Sequence, residues 1–107
     1  MSGDSMKNID YLEKLTKTIK NNASKDVESS YTAKLIGDIE LLSKKIGEEA
    51  TEVAIAAAQR DEDAIKLESA DLLYHLFVLW ADQNIKPDEI FEVLSNRRGI
   101  SGLDAKK

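Results

Sequence analysis

Glu48, Glu49 and Glu52, followed by Glu68 and Asp71, are the residues of this chain whose type and spacing could do chemistry. Ile39, Leu42, Ile46, Val53 and Ala56 recur at steps of three and four, the signature of one buried helix face, and the step missing between Ile46 and Val53 falls on Glu49. Glu52 lies one turn on, so these three acids gather on one side of their helix rather than ringing it. A second stripe, Ile65, Leu72, Leu76 and Leu79, has Glu68 as its missing member and Asp71 three residues beyond on the adjacent face. A lone ionised carboxylate in a dry interface costs several kcal/mol, so two consecutive helices built this way require a countercharge between them. No Lys or Arg stands at a matching stripe position within residues 44–71. With no Cys and a single His, soft-metal ligands are scarce; oxygen-only donors suit a hard divalent ion, Mg²⁺, with Mn²⁺ as substitute. Runs of Glu on helices are ordinarily solvated faces and Glu48 fits that description, but ExxE on one helix answered by ExxD on the next does not.

Groups able to meet an anionic ligand flank the acids. The hydroxyls of Ser30, Tyr31 and Thr32 and the ammonium of Lys34 can serve either as cap and surface or as the lining of a phosphate or ribose site. Lys44 and Lys45 precede the acids by a turn: Lys45 reaches Glu48 or Glu49 as a helical ion pair, while either lysine could neutralise a polyphosphate. Arg97 and Arg98 close the last helix, where they complement its dipole or grip a phosphate in bidentate fashion. Gly47, which costs about 1 kcal/mol relative to Ala inside a helix, marks either a close approach or a tolerated residue. His75 follows Asp71 by one turn on the same face. It reads first as a satisfied core residue rather than a catalytic one.

The elements that must position these groups are helical. Ile9, Leu12, Leu15 and Ile19 give a first amphipathic helix from residue 8 to about 22, after a small polar leader, 1–7, taken as lying outside the fold. Residues 21–30 are rich in Asn, Ser and Asp and read as a loop. A short turn at 30–35 stops at Gly37, and Asp38 caps the long helix that follows. QRDED at 59–63 makes a polar hairpin with Asp61 or Glu62 as N-cap, and 63–83 is the most apolar helix. The all-round apolar part is LLYHLFVLW at 72–80; it needs cover on more than one side, which predicts a homodimer with Trp80 and Phe77 as its anchors, unless both sit in the ordinary core. Pro87 opens a last helix to about 97, with Ile90, Phe91 and Leu94 facing inward, and 99–107 is a tail.

A length of 107 residues at 42% apolar content allows one compact domain, here 8–98. Twenty acids against 15 bases, a net charge of −5, exclude non-specific nucleic-acid binding and an anionic membrane surface as partners. No apolar run spans a bilayer or forms a secretory signal, and the absence of Cys fits the cytoplasm.

The pattern Glu48-Glu49-x-x-Glu52 with Glu68-x-x-Asp71 resembles the metal-binding signature of the all-α nucleoside triphosphate pyrophosphatases, the superfamily of MazG and the dimeric dUTPases. SYTAKL at 30–35, KKIGEEATEVAIAA at 44–57 and ESADLLYHLFVLW at 68–80 look like one member family, the phosphoribosyl-ATP pyrophosphohydrolases of the second step of histidine biosynthesis. The likeness spans residues 9–98. It implies an all-α antiparallel bundle of four to five helices completed by dimerisation, in which the segment at 30–35 borders the substrate pocket and the basic pair Arg97–Arg98 binds substrate. It implies Mg²⁺-dependent hydrolysis of 1-(5-phosphoribosyl)-ATP to 1-(5-phosphoribosyl)-AMP and pyrophosphate. Glu49, Glu52, Glu68 and Asp71 are then the metal ligands, and Glu48 either completes the shell or orients the water as base. Tyr31, Lys34, Lys44 and Lys45 join the arginines as substrate contacts. No Walker loop is present, so phosphate binding rests on metal and scattered cations. The rival functions are a housekeeping pyrophosphatase for dUTP or damaged nucleotides, and a helical dimer that acts only as an interaction module.

Overall fold

A computed structural model describes the backbone of residues 2–23 and 30–98, with side chains over 10–23 and 30–97. Its elements are α1 (Ser2–Ala23), α2 (Tyr31–Leu35), α3 (Ile39–Ala58), α4 (Glu62–Asp82) and α5 (Pro87–Arg98), with no strand among the described residues. The all-α expectation holds. The first helix starts at Ser2 rather than at residue 8, so most of the predicted leader is helical backbone; Met6, three residues before Ile9, carries the apolar stepping one turn further back. Of the expected loop, 21–23 still belong to α1. Residues 24–29 and the tail at 99–107 lie outside the described residues.

Local chemistry sets the remaining boundaries. Ser30 caps α2, its Oγ accepting from the Ala33 N–H at 3.2 Å, and Gly37 at φ 86° turns the chain where a side chain would be strained. Asp38 Oδ1 accepts from the Leu41 N–H at 3.1 Å and starts α3. At the far end of α3 the Arg60 N–H bonds the Ala57 carbonyl and the Asp61 N–H bonds the Ala56 carbonyl, a Schellman closure with Arg60 at φ 56°. Asp61 then caps α4 by accepting from the Ala64 N–H, so one residue ends one helix and begins the next. The α3–α4 hairpin is accordingly tight, and these two helices share the largest interface of the chain. Pro87 occupies the first turn of α5, and Glu89 Oε2 reaches back to the Lys86 N–H at 2.8 Å.

The core is small. Ile19, Leu35, Leu42, Phe77 and Val78 form its buried cluster, with Leu12, Leu15, Ile46, Tyr74, Leu79 and Trp80 packed around it. Leu42 and Ala56 of the α3 stripe are buried as expected, whereas Ile39, in the exposed first turn, is not. In α4 the phase of the buried face differs from the predicted stripe. His75, Phe77 and Val78 point into the chain, and Ile65, Leu72, Leu76 and Leu79 are half-buried. Phe77 therefore takes the core alternative, with the Trp80 ring against it at 4.8 Å between centroids and tilted by 40°, and is no dimer anchor. Phe91 and Leu94, expected to face inward, are exposed, because α5 makes only slight contact with the other helices. Among the described residues no helix is long and apolar enough to cross a membrane.

Candidate functional site

The α3–α4 pairing brings the two acidic motifs face to face. One carboxylate oxygen from each of Glu49, Glu68 and Asp71 lies within 4.8 Å of the others. Glu49 and Glu68 are half-buried, and Oε2 of each is shut away from solvent with no hydrogen-bond partner. Two buried oxygens without donors, on acids packed against one another, are the feature a hydrophobic interface tolerates least. Oxygens gathered this closely could be shared by one cation. The donor set, all carboxylate oxygen, fits a hard divalent cation.

Electrostatics point the same way. The Glu68 carboxyl is pushed up to about 7, first by a hydrogen bond with Glu52, then by burial and by the charges of Glu52, Glu49 and Asp71. A proton here partly does the work of a cation, relieving repulsion across the helix pair. Glu52 thus belongs to the cluster through Glu68. Glu48 stands apart from the three-oxygen group: it is exposed and pairs with Lys45 at 3.6 Å, one of the two pairings its spacing allowed.

The flanking residues divide clearly. Ser30 is occupied as a cap, and Thr32, buried, shares a hydrogen bond with the Tyr74 hydroxyl. Tyr31 keeps 46% of its surface exposed, and its hydroxyl lies 2.9 Å from His75 Nε2. Burial raises the Tyr31 phenol above its ordinary value, against the pull of Lys45; the phenol also feels the charges of Glu49 and Asp71, which places it at the edge of the acidic cluster. His75 is buried with both ring nitrogens partnered, Nδ1 standing 2.7 Å from the Asp71 carbonyl, as the core reading anticipated. Lys34, Lys44 and Arg97 are exposed and form no ion pair among the described residues, and the Arg98 side chain lies outside them. Among the described residues nothing lies within 4 Å of where a Cβ on Gly47 would stand, so none of their helices passes over it. The cavity of about 450 Å³ between α1 and α5, lined by Leu12, Thr16, Lys17, Lys86, Pro87 and Phe91 among others, contains none of the carboxylates of the cluster.

Reading the chain left two positions unremarked. Tyr74 anchors α2 through Thr32, and Asp82 Oδ1 accepts from the Gly37 N–H at 2.7 Å, fastening the turn after α2 to the end of α4. Both ties join residues more than forty positions apart, for which periodicity holds no signal.

Comparison with known proteins shows the family. The model of the family described as phosphoribosyl-ATP pyrophosphohydrolase matches residues 12–98. A protein named phosphoribosyl-ATP pyrophosphatase from Caulobacter sp. (strain K31) is 48% identical over 95 residues, 89% of each chain. One of the same name from Azospirillum brasilense is 45% identical over 96 residues, covering 89% of this chain and 86% of its own. Another from Rhodospirillum rubrum is 43% identical over 96 residues, covering 89% and 82%. A family match over residues 12–98, together with identities at this level along nearly the full length, shows that the chain belongs to the phosphoribosyl-ATP pyrophosphohydrolase family.

Proposed function

We propose that this chain hydrolyses the α–β phosphoanhydride of 1-(5-phosphoribosyl)-ATP, water supplying the oxygen, to give 1-(5-phosphoribosyl)-AMP and pyrophosphate in the second step of histidine biosynthesis. The observation that carries the reading is that Glu49 and Glu68, whose carboxylates come within 4.8 Å of each other across α3 and α4, each keep a buried Oε2 without a hydrogen-bond partner. Glu49, Glu68 and Asp71 hold Mg²⁺, with Mn²⁺ as substitute, and Glu52 joins them once its hydrogen bond to Glu68 is released. Bound there, the cation neutralises phosphate oxygens and lowers the pKa of water. Glu48, outside the three-oxygen group and beside Lys45, takes the water-orienting role of the two its position left open. Tyr31, Lys34, Lys44, Lys45, Arg97 and Arg98 meet the substrate.

The working form is a homodimer in the cytoplasm. In support, Ile55 on α3 and Leu67 and Leu73 on α4 are 50%, 68% and 42% exposed, and α5 leaves Phe91, Val93 and Leu94 uncovered, apolar side chains that a second copy would shield from water. An assay of pyrophosphate release from phosphoribosyl-ATP with and without Mg²⁺ tests the activity, with ATP and dUTP as competing substrates. Turnover should require the metal, favour phosphoribosyl-ATP, and vanish in Glu49→Ala/Glu68→Ala; release that survives the double substitution would remove these acids from the mechanism.

A further inference from the structure

We infer that Tyr31 meets the substrate as a hydrogen-bond acceptor for a sugar hydroxyl, and that His75 is the positioning residue that holds it in that role. The inference rests on the proposed reaction and deepens it by assigning one contact. The Asp71 carbonyl can only accept, so His75 Nδ1, 2.7 Å away, carries the hydrogen. In the neutral ring Nε2 is then the acceptor, and the Tyr31 hydroxyl at 2.9 Å donates to it. A phenol has one proton, and this one is committed inward. What the exposed edge of Tyr31 offers is oxygen lone pairs.

The ring is held in that pose. It stacks on Tyr74 with centroids 6.4 Å apart and planes 17° from parallel, and meets His75 edge-on at 81°. Tyr74 is in turn tied to buried Thr32. Phosphate oxygens of a metal-bound polyphosphate also only accept, so they gain nothing from Tyr31, whereas a hydroxyl donor does. Ser30 is occupied as a cap and Thr32 is buried on Tyr74, whereas Tyr31, its proton on His75, stays 46% exposed.

Two ligands test this: phosphoribosyl-ATP, which carries sugar hydroxyls, and inorganic tripolyphosphate, which carries no such donor. Tyr31→Phe should raise KM for the first about five- to tenfold with kcat nearly unchanged, and leave inhibition by tripolyphosphate with Mg²⁺ as in wild type. His75→Gln sets an amide oxygen near the place of Nε2 and should keep KM close to wild type. His75→Asn retains a donor toward the Asp71 carbonyl but no acceptor for Tyr31; it should raise KM as Tyr31→Phe does, and combining the two should add little. Equal weakening of tripolyphosphate would place Tyr31 on phosphate, a loss confined to kcat would place it on the attacking water, and an unchanged KM would remove it from the site; each overturns the inference. If the buried His75 variants do not fold, the Tyr31→Phe comparison decides alone. A wild-type protein inactive on phosphoribosyl-ATP strikes only the proposed reaction, and the same contrast is then read by calorimetry between ATP and tripolyphosphate.

Discussion

At the scale of single residues, the carboxylates of α3 and α4 explain one another. Glu68 holds its proton up to about 7 because Glu52 bonds it and because Glu49 and Asp71 crowd it. The folded-state value is raised from 4.5, so this proton stabilises the metal-free fold fully below about pH 4.5, and that contribution is lost as pH rises through about 7. In a chelating buffer the melting temperature of wild type should fall from pH 5 to pH 8 relative to Glu68→Gln, which cannot ionise. Added Mg²⁺ should raise it more at pH 8 than at pH 5, since the cation competes with the proton. Parallel curves for wild type and variant would mean that the acids do not feel each other. That Glu49 and Glu68 stand out of place was legible in the chain, because each replaces an apolar stripe residue. The Glu52–Glu68 contact was not, since it depends on how the helices face, and neither was the tie between Tyr31 and His75, 44 positions apart.

Among the elements, the α3–α4 hairpin sets the geometry of the site, and its turn is where that geometry can be loosened. Asp61 both closes α3 and caps α4. Asp61→Ala should cost about 1–2 kcal/mol in urea unfolding. Arg60 sits at φ 56°, where an L side chain is strained, so Arg60→Gly should gain about 0.5–1 kcal/mol. Gly37 has the same backbone demand at φ 86°, but a Cβ there meets nothing within 4 Å, so Gly37→Ala should cost only the conformational penalty of about 1 kcal/mol. The Asp38 cap was readable, and caps at Ser30 and Asp61 were each one of two readings left open, because capping uses bonds three residues apart. The buried face of α4 was not readable. A helix apolar nearly all round has no preferred phase until its neighbours exist, and they chose His75, Phe77 and Val78.

For the whole molecule, the question is what covers the apolar surface. The buried cluster is limited to a few side chains from α1 to α4, and α5 scarcely touches them. Under the proposed dimer, sedimentation at micromolar concentration should give twice the chain mass, and Leu73→Glu, which puts a charge on exposed apolar surface of α4, should shift the protein toward the monomer and lower its melting temperature. A wild-type monomer under those conditions would leave Leu67, Leu73 and the outer face of α5 to water and discard the dimer.

What the sequence by itself determined was local or periodic: helices and several of their caps, and two acids standing where hydrophobic residues should. These follow from interactions within a few positions, which a linear chain states outright. Tertiary structure decided which acids face each other, which side of α4 is buried, that Phe77 belongs to the core, and that α5 stands off from it. It also set the Tyr31 hydroxyl against His75 Nε2. Each of these depends on two helices meeting at a particular rotation, and that rotation is set by the packing of the whole chain.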